Sequence, residues 1–151
     1  MREEPPTTAH LWAQRVLLSS GSKEGREPVA LAEATLHAEA RLQRRLVELV
    51  GVRGYAALLA RAVRLAQAEV PALASVTVRA GAQEPLHGVR AFAESAAARG
   101  APRVAEAGLI ALLAQIIALL ITLIGEDLVF RLVHEVWPEL TPVVIVKEGH
   151  L

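Results

Sequence analysis

Residues 107–125 read Ala107-Gly-Leu-Ile-Ala-Leu-Leu-Ala-Gln-Ile-Ile-Ala-Leu-Leu-Ile-Thr-Leu-Ile-Gly125, a stretch without a charge in which Gln115 and Thr122 are the polar side chains. A helix built from it has no wet face, so it must be enclosed, either by other helices or by lipid. Burial of each large aliphatic side chain is worth about 1.5–3 kcal/mol, so whatever encloses this helix decides the fold. Length leaves both enclosures open, because a membrane span takes about 20 apolar residues.

Working outward, Arg99-Gly-Ala-Pro102 interrupts the chain and Pro102 opens the apolar helix. Proline suits a first helical turn, where its missing N–H costs nothing. On the other side, Gly125-Glu-Asp127 reads as a break followed by acids at the start of a new helix, where the helix dipole favours negative charge. That helix carries Leu128, Val129, Leu132, Val133 and Val136 on its apolar side, with Asp127, Arg131, His134 and Glu135 polar, and ends at Trp137-Pro138. Asp127 and Arg131 have the spacing of a surface ion pair. Thr141-Pro-Val-Val-Ile-Val-Lys147 is a β-rich apolar tail, read as an adhesive element, as a strap over the core, or as a strand partner for Ser75 to Arg79.

Towards the N-terminus, Thr7 or Thr8 caps a short helix running to about Ser19, with Leu11, Trp12, Val16 and Leu17 inward. Ser19 to Gly25 reads as a flexible link. Pro28 starts a helix to about Val50, with Leu36, Leu42, Leu46, Leu49 and Val50 on or near one side, and Glu39, Arg41, Gln43, Arg44 and Glu48 on a solvated face. Gly51-Val-Arg-Gly54 breaks it. From Tyr55 the positions Leu58, Leu59, Ala62, Val63 and Ala66 keep helical rhythm up to Pro71, which predicts an antiparallel hairpin of helices. Ser75-Val-Thr-Val-Arg79 has the alternation of a short strand, and a further helix is expected from about Pro85 to Ala98, with Leu86, Val89, Phe92 and Ala96 inward.

Composition narrows the function classes. The 151 residues suit one domain, here a short N-terminal helix and link (1–25) joined to a helical bundle (26–151). Sixteen Lys+Arg balance sixteen Asp+Glu, so no global field draws the chain to nucleic acid, anionic lipid or an acidic substrate. With no cysteine, disulfide scaffolds, thiolate metal sites and cysteine nucleophiles are excluded. Apolar residues make up 53 % and aromatics 3 %, a composition of Ala, Leu and Val that favours an all-α fold. Met1-Arg-Glu-Glu-Pro-Pro lacks the basic-then-apolar order of a secretory signal.

Motifs that carry chemistry are scarce in this sequence. There is no phosphate loop, no His-Glu-x-x-His, no Gly-x-Ser-x-Gly and no dinucleotide glycine motif, so the expectation is a non-enzymatic chain without cofactor or metal. Gly51-x-x-Gly54 has the spacing of a nucleic-acid phosphate clamp but lies between helices without a sheet, and reads as a turn. Glu33 with His37, and Asp127 and Arg131 with His134, share helix faces, yet the Glu-x-x-His spacing of bundle metal sites is missing, which leaves surface residues as the simpler reading. Histidine phosphotransfer or metal chemistry on His37 or His134 is a remote alternative. Arg41, Arg44, Arg45, Arg53, Arg61 and Arg64 form a basic stripe, read as solvated rather than as a nucleic-acid contact.

The amphipathic helices before residue 107 need something to pack on, Trp and Tyr are missing from the immediate flanks, and the Gly125 break looks like a turn; these favour a soluble bundle core. Arg99 and Arg103 before it and Glu126 and Asp127 after it instead suit a span with its N-terminal side inside. The expectation is a cytoplasmic all-α bundle around a central apolar helix that acts by self-association, as a homodimer, or as a subunit or regulator bound to a protein partner. Its contact residues would be Leu109, Leu112, Ile116, Leu120 and Leu123 on the helix and Val143, Val144, Ile145 and Val146 in the tail. The alternative is a single-span protein of an inner or plasma membrane with a helical cytoplasmic N-terminal region.

Overall fold

The computed structural model describes residues 7–18 and 27–138. Five helices follow one another among these: α1 (Thr8–Leu18), α2 (Pro28–Glu69), α3 (Val89–Ala98), α4 (Pro102–Ile124) and α5 (Glu126–Val136). A 3-10 turn (Pro71–Ser75) and two short strands, β1 (Thr77–Val78) and β2 (Leu86–His87), lie between α2 and α3. The fold is all-α, with α4 packed against α1, α2, α3 and α5.

The helix starts follow local chemistry. Thr7 Oγ1 accepts from the His10 N–H at 3.1 Å, satisfying an end group of α1 that would otherwise lack a partner. Glu27 does the same for Val29 at the start of α2, where Pro28 takes the first turn. Gly125 ends α4, and Glu126 and Asp127 occupy the first turn of α5.

α2 is two arms rather than one rod. Gly51 has φ 78° and ψ 167°, a backbone region essentially confined to glycine, and interrupts the helix there. The second arm folds back, because the Tyr55 hydroxyl reaches the Glu39 carboxylate at 2.5 Å, whereas a straight helix would separate these residues by about 24 Å. Both arms bury a helical stripe, Leu31, Thr35, Leu42 and Leu46 in the first and Tyr55, Leu59, Ala62 and Ala66 in the second.

α4 answers the enclosure question raised by its sequence for most of its length. Every residue from Gly108 to Ala114 is buried, two successive turns with no outward side. The two polar side chains of its uncharged run are matched locally: the Gln115 amide donates to Glu69 at the end of α2, and the Thr122 hydroxyl donates to the Ala118 carbonyl at 3.1 Å.

The connection between α2 and α3 departs from expectation. β1 pairs antiparallel with β2, Thr77 opposite His87 and Val78 opposite Leu86, so the strand partner is the segment read as the first turn of α3. The inward pattern was sound, since Leu86, Val89, Phe92 and Ala96 are all buried. Gly88, at φ 89°, cuts between Leu86 and Val89, so α3 begins at Val89. Gln67 holds this corner: its side-chain amide donates to the carbonyls of Leu73 (3.1 Å) and Val76 (3.0 Å). The tail from Thr141 to Lys147, including Val143, Val144, Ile145 and Val146, lies outside the described residues.

Close approach of α3 to α4 depends on Gly108. A Cβ at this position would lie 2.6 Å from Phe92 Cζ and 3.3 Å from Leu73 Cδ2. The Phe92 ring is buried and cannot swing clear. Gly108→Ala is expected to destabilise the protein by about 1–2 kcal/mol despite alanine's better helix propensity, as read by denaturant unfolding. Adding Phe92→Leu should make the alanine substitution cost less, which a double-mutant cycle would register.

Candidate interaction surface

The core stripes of two helices run past the point where anything covers them. In the first arm of α2 the buried positions Leu42 and Leu46 are followed at helical spacing by Leu49, which is 63 % exposed. In α4 the buried series Leu109, Leu112, Ile116 and Leu120 is followed by Leu123, 58 % exposed. These two ends lie together. Leu49, Val50, Leu123 and Ile124 line a groove of about 590 Å³, completed by Leu128 and Leu132 of α5. Leu128 is 52 % exposed because α5 turns Val129, Leu132, Val133 and Val136 to the core, one residue off its register.

Six large apolar side chains are exposed among the described residues, Leu49, Val52, Leu65, Val104, Leu123 and Leu128, and half of them meet on this groove. Scattered apolar residues on a surface are ordinary; a cluster that prolongs the core is not. The rim is charged with both signs. Arg45 and Glu135 form an ion pair across it, and Glu48 and Arg131 stand beside them. No ion pair joins Asp127 to Arg131 among the described residues; α5 is tied to α2 through Glu135 instead.

Of the contact residues expected from sequence, Leu109, Leu112, Ile116 and Leu120 are at most 1 % exposed and are covered by the chain's own helices. Leu123 is the exposed one, and the four tail residues lie outside the described part. Leu49 and Leu128 were missed as surface candidates, because periodicity assigned both to a core-facing side. What marks them is their position within one turn of a glycine break, where a stripe can outrun its cover.

The other candidate chemistry is dispersed. Glu33 accepts from Arg90 (Nε at 2.5 Å), which also donates to Glu84 at 2.9 Å, and this guanidinium holds the Glu33 carboxyl below its ordinary range. His134 stands edge-on to Trp12, ring centroids 5.8 Å apart, with Phe130 at 5.6 Å from the same indole. No group of three or more His, Asp or Glu is placed to hold a metal ion among the described residues. Arg41 lies 5.5 Å over the Trp137 ring and Arg45 pairs with Glu135, while Arg44, Arg53, Arg61 and Arg64 are exposed. The chain matches no protein-family model, no curated protein and no solved structure with which it was compared.

Glu39 corrects the solvated-face reading of α2. It is 1 % exposed, with the Tyr55 hydroxyl as its partner. Burial pushes its carboxyl above the ordinary range; the Tyr55 hydrogen bond opposes this and the charge of Glu84 adds to it. A carboxyl whose folded pKa is raised binds more protons folded than unfolded. Its favourable contribution is complete below the unfolded value of about 4.3 and is lost as pH climbs through the folded value. Glu39→Gln keeps an acceptor for Tyr55 but cannot ionise. It is expected to raise the melting temperature relative to wild type at neutral pH, and the difference should shrink towards about pH 4, as followed by thermal melts across a pH series.

Proposed function

We propose that this chain works by association, pairing with a second copy of itself through the groove formed by Leu49, Val50, Leu123, Ile124 and Leu128. The observation that carries this reading is the overrun of two core stripes into one shared apolar patch. A second copy suits the rim, which carries both signs of charge: about a two-fold axis, Glu48 of one protomer can meet the partner's Arg131, and the reverse contact repeats it. A formal charge of zero removes long-range repulsion between copies. In this reading the protein is cytoplasmic, and the pair is a scaffold or a small subunit of a larger assembly.

Light scattering behind size-exclusion chromatography, without detergent and over a range of concentrations, tests it. The wild-type chain is expected to be dimeric. Leu123→Asp or Leu128→Asp should weaken the dimer at least roughly tenfold, because a charge placed at a dry contact readily exceeds 1.4 kcal/mol. Helical content should stay the same, since both side chains are already half in water within one chain. A wild-type chain still monomeric at roughly 1 mM, where association would be worth only about 4 kcal/mol, overturns the proposal.

One observation supports a second reading. Pro102–Ile124 is a helix long and apolar enough to cross a membrane, and its neighbours leave its first and last turns open. For a single-span protein, carbonate-washed membranes should retain the chain and detergent-free extraction should fail; recovery in the soluble fraction removes that reading.

A further inference from the structure

Charge is balanced over the chain as a whole but not over every face of it. Between Glu48 and Glu69 the second arm of α2 carries Arg53, Arg61 and Arg64 and no acid. We infer that the outward face of this arm is a docking surface for an anionic lipid bilayer, with the helix lying flat against the headgroups. This surface is separate from the pairing proposed above and uses none of the residues that line the Leu49–Leu123 groove.

Helix geometry makes the face continuous. At about 100° per residue, Arg53, Ala57, Arg61, Arg64 and Ala68 fall within an arc of about 80°. All five are exposed. The arc lies opposite the stripe of Tyr55, Leu59, Ala62 and Ala66 that packs into the core. Arg53 to Arg64 covers about 17 Å along the axis. With alanines between them, the arginine stems can lie along a flat surface while their heads reach its phosphates.

These arginines are uncommitted within the fold. Arg45 pairs with Glu135, and Arg90 with Glu33 and Glu84, but among the described residues no ion pair includes Arg53, Arg61 or Arg64. Glu69, at the end of the arm, accepts from Gln115 and so is engaged on the α4 side.

The chemistry of the face selects lipid over nucleic acid. Nucleic acid is held by phosphate contacts together with hydrogen-bonding side chains or aromatic platforms for its bases. Besides arginine this arc offers alanine alone, and its margin is Leu65, 37 % exposed. Basic heads beside an exposed leucine match the boundary between anionic headgroups and acyl chains. A fluid bilayer also imposes no fixed spacing on the three charges.

Co-sedimentation of the full chain with vesicles tests this surface. At low salt the wild-type chain is expected to pellet with phosphatidylcholine vesicles containing about one-third phosphatidylglycerol and to stay in solution with phosphatidylcholine alone. Salt at about 0.5 M should release it, because attraction between exposed charges is screened. Arg61→Gln with Arg64→Gln should weaken binding at least roughly tenfold, at about fivefold for each arginine. Arg15→Gln with Arg79→Gln removes the same charge from exposed positions elsewhere and should leave binding near wild type. Circular dichroism checks that each variant keeps wild-type helicity. No binding at low salt, equal losses from the two double variants, binding that resists salt, or retention of a DNA duplex without anionic vesicles overturns the inference. Leu123→Asp, which addresses the pairing, leaves this face intact, so the two proposals fail separately.

Discussion

Everything in this fold answers to the enclosure of one segment. From Gly108 to Ala114 no side chain of α4 faces water. Four helices supply the walls, and α4 is the surface they share. The fit is close enough that a missing methyl group matters, since Gly108 is where the Phe92 ring seats. The two polar groups in the apolar run do not interrupt it, one being answered by Glu69 and the other by its own helix.

That enclosure is not uniform along the axis. α2 and α4 are interrupted at glycines in the same rare backbone region, Gly51 at ψ 167° and Gly125 at ψ 156°, and the turns preceding them meet at one groove. A reversal at each position returns the chain towards the core and so leaves the last turn of the preceding helix without a lid. The apolar patch is thus a by-product of topology that retains the composition of a core. Its rim carries both signs of charge, with Arg45 and Glu135 paired across it.

Much of the architecture was legible in the residues, for identifiable reasons. Pro28 and Pro102 mark helix starts, Gly51 and Gly125 mark stops, and the unbroken apolar composition of residues 107–125 demanded enclosure. Less legible were features that depend on neighbours. β2 was hidden because Leu86 keeps helical spacing with Val89 and Phe92, and only the backbone angle at Gly88 separates them. Glu39 was read as solvated by residue type, yet the returning arm of α2 covers it and brings Tyr55 as its partner. On α4 the inward and outward leucines have identical sequence signatures; Leu120 and Leu123 differ only in what lies beside them. Periodicity reports which residues share a side, and says nothing about how far along the axis that side is covered.

The corner held by Gln67 has a consequence for motion. Two paired residues per strand make too short a ladder to persist alone, so β1 and β2 depend on an anchor at their base. One such anchor, beside the buried Val76 and Leu86, is the Gln67 amide on the last turn of α2, closing two carbonyls at once. Local opening of residues 77–88 is therefore expected to be coupled to fraying of the α2 terminus, whereas Leu73, seated against Gly108, keeps the 3-10 turn tied to α4.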